Sequence, residues 1–486
     1  CIRDRYFTGL VMKNLLLDNV AAINEVRRTA EALKKGGVSL IGVSGPVKTV
    51  IIAALDSIFA GQGSLAFLVS GRDEIREYRR SLNWFYPELP MYELYPADLP
   101  RVQADAKSRE VQAERVAALR FLRGEERGIV FVTAEALLQK LPDKTAAQEG
   151  IEINCGSITD QQELIAKFTE FGYERTQQVD AIGQFCVRGD ILDIFPINSK
   201  LPLRIEWFDD TVDAIRSFSL ENQRSVENLG KIKIVLLQEP EQESFNASVF
   251  DYVSAKTMLF VDEPSRLWDL AEKIYNENKA YADELWTVQE LTEACGNAKA
   301  VSLAALQHNY FNAFTQINMP VRTVAPYNRN TELLAGDLRG WLNDGIVPVI
   351  MMSSSIKARG LADTLTGKGI AAGYVDAEPF LSPGRVSVIS GELTAGFRFW
   401  NENWLLITES DIFGMQKRRR LHSKNKGAQL QYFSEIKAGD YVVHSVHGIG
   451  RYIGVENVEV DGRHRDYLLL QLSLIHISEP TRQAEI

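Results

Sequence analysis

Gly37-Val38-Ser39-Leu40-Ile41-Gly42-Val43-Ser44-Gly45-Pro46-Val47-Lys48-Thr49 decides the fold. Residues 37–43 form a short apolar strand and 49–59 an apolar helix, so the loop between them lies where a phosphate-binding loop would. A working loop of that kind reads G-x-x-x-x-G-K-[ST]. Its backbone N–H groups cradle phosphates while the lysine and the hydroxyl reach the terminal phosphates and magnesium. Gly42, Gly45, Lys48 and Thr49 keep part of that wording. Pro46 deletes a donor N–H, and Val47 places a β-branched side chain where glycine permits close backbone approach. Both changes strike the same mechanism, and the expectation is a strand-loop-helix scaffold that binds no nucleotide.

On the C-terminal side of this loop, residues 64–69 with 73–83 and residues 128–133 with 134–141 repeat the strand-helix unit. Such alternation specifies a parallel sheet with right-handed crossovers. Residues 95–100 form an extended connector, and 108–123 a charged helix. Met258-Leu259-Phe260-Val261-Asp262-Glu263 imitates a strand that ends on magnesium-binding carboxylates. With the phosphate loop compromised, these acids are expected to be solvated at a strand end, with no metal.

The chain has 486 residues, 45% hydrophobic and 24% charged, with a formal net charge of -10. That length implies about three to five domains. No run of about 20 apolar residues exists to span a bilayer, so no membrane association is expected. Cys1, Cys155, Cys186 and Cys295 show neither disulfide nor zinc spacing, which fits a reducing, cytoplasmic setting. The acidic balance restricts any nucleic-acid contact to local basic patches. Residues 1–11 precede Met12 and read as upstream sequence, and 472–486 read as a non-native tail, so the chain is expected to be a truncated product.

A second informative run is Cys186-Val187-Arg188-Gly189-Asp190-Ile191-Leu192-Asp193-Ile194-Phe195-Pro196. Strand side chains alternate, so Val187, Ile191 and Ile194 share a face only if Gly189-Asp190 makes a turn or bulge. Further strands follow in Leu203-Arg204-Ile205-Glu206-Trp207-Phe208 and Asp213-Ala214-Ile215-Arg216-Ser217-Phe218. An Arg-Gly turn among such strands fits a surface module that docks another protein, although a hairpin corner with Arg188 satisfied by a nearby carboxylate is the plain alternative. Residues 331–344, 348–353, 355–367, 386–391 and 404–409 alternate helix and strand in a small α/β unit without a catalytic cluster. Lys417-Arg418-Arg419-Arg420, with Lys424 and Lys426, is a basic linker. From residue 436 onward, glycines at 448, 450 and 454 break short strands as the turns of a small barrel require. His444 and His447 lack a third ligand nearby, so no metal is expected there.

These runs, in this order, resemble the transcription-repair coupling factors (Mfd) over residues 12–471, with a region similar to the excinuclease subunit UvrB. The resemblance implies an α/β multidomain chain. A degenerate RecA-like, UvrB-like parallel-sheet body would occupy 12–148 and 239–325, with an α+β UvrA-binding domain inserted at 149–238. A small α/β domain at 326–414, a basic linker at 415–434 and an incomplete β-barrel at 435–471, similar to CarD-type regulators, would follow. By the same resemblance, Arg188 leads the UvrA contacts, with Arg175 and Phe185 beside it. His444, His447, Gly448, Gly450 and Arg451 mark the motif that meets the RNA polymerase β subunit, a contact weakened or lost by truncation. In the full-length family ATP and magnesium drive translocation on DNA, displacement of stalled polymerase and recruitment of UvrA. Neither cofactor is expected here, DNA contact falls mainly to the motor, and this stretch is expected to supply the UvrA-docking surface. A UvrB-type excinuclease helicase subunit would carry an intact phosphate loop. A free-standing CarD-type polymerase-binding regulator would not carry so long a preceding chain.

Overall fold

The computed structural model describes residues 13–96, 109–124, 126–143, 150–199, 201–220, 222–235, 245–311, 313–376, 381–414, 441–444, 448–460, 463–472 and 481–482. Contacts divide the chain into two units, whose described residues run from 13 to 414 and from 441 to 482.

In the first unit the chain lays down β1 (Val38–Ile41), β2 (Leu65–Val69), β3 (Met91–Leu94) and β4 (Ile129–Thr133). It then leaves through β5 (Leu141–Pro142) and β6 (Gly150–Asn154). Next come β7 (Glu174–Arg175), β8 (Gln184–Arg188), β9 (Ile191–Ile194), β10 (Leu203–Phe208), β11 (Thr211–Phe218) and β12 (Ser225–Leu229). It returns through β13 (Lys231–Val235) and β14 (Phe245–Ala247) to β15 (Met258–Asp262), β16 (Ala300–Ala304) and β17 (Thr315–Asn318).

Strands from both flanks of the excursion share one seven-stranded sheet, ordered β17-β1-β16-β15-β2-β4-β3, and every pairing in it is parallel. Its central strands β2, β15 and β4 read as near-continuous apolar runs, as strands buried on both faces do, whereas the edge strand β17 is mostly exposed. Phe67, Phe131 and Phe260 point into one core, with ring centroids 5.2 Å apart from Phe67 to each of the others, while Leu68, Val130 and Val261 point into the opposite core. The outgoing and returning passages are zipped together by the antiparallel pairs β5-β14 and β6-β13. The excursion is therefore an insertion between β4 and β15.

The inserted strands form a six-stranded sheet ordered β12-β11-β10-β9-β8-β7. The helix Gln161–Glu170, capped by Asp160 through its bond from the Gln162 N–H (2.7 Å), buries Leu164 and Phe168 against one face. A third sheet combines β18 (Val321–Thr323), β19 (Val347–Met352), β20 (Ala372–Tyr374), β21 (Val386–Ser390), β22 (Phe397–Phe399) and β23 (Trp404–Thr408) in the order β18-β22-β23-β19-β21-β20.

The second unit holds an antiparallel sheet of β24 (Tyr441–His444), β25 (Gly448–Val460), β26 (Arg463–Leu472) and β27 (Thr481–Arg482). The architecture is thus α/β with a parallel-sheet body and several smaller sheets. Among the described residues no helix is long and apolar enough to cross a membrane.

Candidate docking face and phosphate-loop corner

After β1 the chain turns through Gly42 (φ +87°) and Gly45 (φ +59°), conformations that cost glycine little. The first two N–H groups of the loop look inward. Gly42 and Val43 both donate to the Ala304 carbonyl, at 2.9 and 3.1 Å. Pro46 then opens the helix Val47–Ile58, and the Thr49 hydroxyl donates to the Pro46 carbonyl at 2.7 Å. That hydroxyl is therefore turned back onto its own loop.

Lys48 Nζ donates to Asp262 Oδ1 at 2.8 Å and to Glu263 Oε1 at 2.6 Å. The Tyr78 hydroxyl adds a 2.6 Å bond to the same Asp262 oxygen. Glu263 sits at φ +40°, in the left-handed region, and accepts from the Ala305 N–H at 3.2 Å. The expectation of solvated acids at this strand end is corrected for Asp262, which is buried and neutralised by Lys48 at hydrogen-bond distance. Burial alone would lower the Lys48 pKa, but Asp262 and Glu263 outweigh it and the ammonium titrates above its ordinary range. Burial, reinforced by Asp262, pushes the Tyr78 phenol well above its usual value. The adjoining cavity, lined by Gly45, Pro46, Lys48, Thr49 and Tyr78 among others, measures about 80 Å³.

The second candidate lies on the inserted sheet. Arg188 pairs in register with Ile191, leaving Gly189 and Asp190 as a two-residue loop. Gly189 takes φ +60°, the positive angle that a tight hairpin of this length needs at its first central position. The expected turn is present. Arg188 is exposed, and its Nη2 donates to the Gln177 carbonyl at 3.0 Å in place of the carboxylate of the plain alternative. Arg175 is exposed in β7. Phe185 is 0% exposed and lies 6.0 Å from the Phe168 ring, so it serves the core and offers no side-chain surface to a partner.

Along β10, Leu203, Ile205 and Trp207 face the core, while Arg204, Glu206 and Phe208 face outward. Arg204 grips Asp193 on β9 through two bonds, Nε to Oδ1 at 2.7 Å and Nη2 to Oδ2 at 2.9 Å, and its guanidinium lies 4.9 Å from the Phe218 ring. Donating these hydrogen bonds to the Asp193 carboxylate raises the Arg204 pKa further. Arg216 on β11 meets Glu206 at 3.3 Å. Alternation within residues 203–208 places Arg204 and Glu206 on one face, but the identity of their partners needs the strand register.

In the second unit His444 pairs with Gly448, Gly450 lies between Val442 and Leu472, and Arg451 is exposed between Tyr441 and Gln471. His447 lies outside the described residues. Cys155, Cys186 and Cys295 are unpaired.

Residues 151–239 match the family model of the UvrB interaction domain, and 436–474 that of the CarD-like/TRCF RID domain. These define a chain that joins an inserted UvrB-type interaction domain to a CarD-like module. The transcription-repair-coupling factor of Bacillus subtilis is 26% identical over 452 residues, covering 77% of this chain and 38% of that protein. That of Staphylococcus epidermidis is 23% identical over 535 residues, covering 95% of this chain and 45% of that protein. The two family matches and these relatives make the chain Mfd-like, similar to the amino-terminal region of the transcription-repair-coupling factors. It spans less than half the length of these relatives. A hypothetical ATP-dependent RNA helicase from Sulfolobus tokodaii aligns over 78% of this chain and 81% of its own, at 9% identity and a TM-score of 0.24. That score is too low to carry a fold argument, which rests on strand order.

Proposed function

We propose that this chain supplies the recognition surfaces of a transcription-repair coupling factor. The inserted sheet docks UvrA, and residues 436–474 engage RNA polymerase. The observation that carries this reading is the co-occurrence, in one chain, of a UvrB interaction domain and a CarD-like/TRCF RID domain. The Arg188 hairpin supports it. An exposed guanidinium at a rigid two-residue turn is positioned to fork onto a carboxylate of another protein, and interface arginines often dominate affinity. The phosphate-loop corner has a structural role in this reading and takes neither ATP nor magnesium. Lys48 and Thr49 are engaged with protein groups, and Pro46 lacks the N–H that a phosphate would need.

Retention on immobilised UvrA tests the docking role. The chain should be retained, and Arg188→Glu should weaken binding tenfold or more, the scale of an interface hot spot. Equal retention of both removes Arg188 from the contact, and retention of neither overturns the docking role. Nucleotide titration tests the other corner, where saturable ATP binding abolished by Lys48→Ala would restore a nucleotide site.

A further inference from the structure

Phe208 and Ile158 are 79% and 83% exposed, although both sit in ordered backbone of the inserted domain. They are neighbours across strands. Phe208 pairs with Thr211 at the end of the β10-β11 hairpin, and Ile158 forms an isolated antiparallel bridge to the same Thr211. Directly opposed residues share a face, so Phe208, Thr211 and Ile158 form a row across the sheet. Alternation along β10 puts that row on the outward face, in line with Glu206 and Arg204. Single exposed apolar residues are ordinary. Here two large ones flank Thr211 in one row, on a face where Arg204 is paired with Asp193 and Arg216 with Glu206.

We infer that Phe208 and Ile158 form the apolar anchor of the docking face, received by an apolar pocket of the partner whose rim is cationic. The rim follows from Asp209, Asp210 and Asp213, exposed carboxylates beside the row with no ion pair among the described residues. An apolar centre inside a polar rim is the usual anatomy of a protein interface. This inference rests on the docking role proposed above and assigns to that role residues outside the Arg188 hairpin. Both side chains are exposed, so their replacement leaves the fold intact.

The test measures affinity for immobilised UvrA for the wild-type chain, Arg188→Glu, Phe208→Ser, Ile158→Ser and Phe208→Leu, with a thermal melt of each. Phe208→Ser should weaken binding at least tenfold and Ile158→Ser several-fold, with Phe208→Leu retaining most affinity and all melts unchanged. If Arg188→Glu weakens binding while Phe208→Ser binds like wild type, the anchor is overturned and the docking role stands. If the wild type does not bind, the docking role falls and the anchor with it. A wild-type dimer that Phe208→Ser converts to monomer would assign the row to a second copy of the chain and overturn the inference.

Discussion

Lys48 and Arg204 each hold an aspartate at hydrogen-bond distance, one at the corner of a parallel sheet and the other across an antiparallel pair. Lys48 and Asp262 are 214 residues apart in sequence, and their side chains are 8% and 7% exposed. Arg204 and Asp193 are 11 residues apart, and water still reaches the guanidinium. Further out on the same face, Arg216 and Glu206 are 38% and 24% exposed. The chemistry is one ion pair repeated, and burial decides its use. Without water the pair fastens distant parts of the body together, and each charge becomes indispensable to the other. Near water the pair costs little to rearrange, and the surface carrying it can meet a partner.

If this gradient is correct, Lys48→Met has the largest effect on stability. It leaves Asp262 buried without its cation, a change that typically costs about 3–5 kcal/mol, and urea unfolding measures it. Lys48→Met combined with Asp262→Leu and Tyr78→Phe should recover most of that loss, because the Tyr78 hydroxyl also donates to Asp262 and all three buried polar groups are then replaced together. A loss below about 1 kcal/mol in the single variant would mean that Asp262 is hydrated or protonated, and the contrast between the two regions would fail.

The same corner sets an alkaline limit. The folded pKa values of Lys48 and Tyr78 both lie above their ordinary ones. The folded state therefore holds protons that the unfolded chain releases above about pH 10. Their stabilisation is present in full below that pH and is lost as pH rises toward the folded pKa values. Unfolding measured from pH 8 to 11 should show the decline, shallower in Lys48→Met and in Tyr78→Phe.

Arg204→Ala comes next. It strips a two-pronged charged hydrogen bond from the buried Asp193, for which a loss of about 2 kcal/mol is expected. Guanidinium chloride screens charge as it unfolds, so urea is the better denaturant for this comparison.

The sequence makes the local half of this picture legible and leaves the long-range half dark. Apolar runs and a glycine-proline loop in residues 37–59 announce strand, loop and helix, because those signals lie within one turn of chain. Gly189-Asp190 announces its hairpin for the same reason. Nothing in the sequence says which acid meets Lys48, since that depends on β15 and β16 entering the sheet after a long insertion. The acids of residues 262–263 therefore read as solvated when they are clasped. Alternation through residues 184–188 shows that Phe185 and Arg188 take opposite faces. Which face is inside depends on where the helix Gln161–Glu170 packs, and only the fold places Phe185 in the core. Gln177, whose carbonyl receives Arg188, lies in a loop with no periodic pattern to locate it.

Arg216→Ala carries the smallest expected effect. Its partner Glu206 stays solvated when the arginine is removed, so the loss should be under about 1 kcal/mol, as for exposed pairs generally. A double-mutant cycle with Glu206→Ala isolates the pair. The coupling should shrink further as salt is raised from 0.05 to about 1 M, where the Debye length falls to about 3 Å. A coupling above about 2 kcal/mol that resists salt would place the pair in a desolvated setting. The outer face would then already be covered in the isolated chain, and a covered face cannot receive UvrA. A weak, salt-sensitive coupling instead means that Arg216 and Glu206 can exchange each other for a partner's groups at small cost, as a docking face requires.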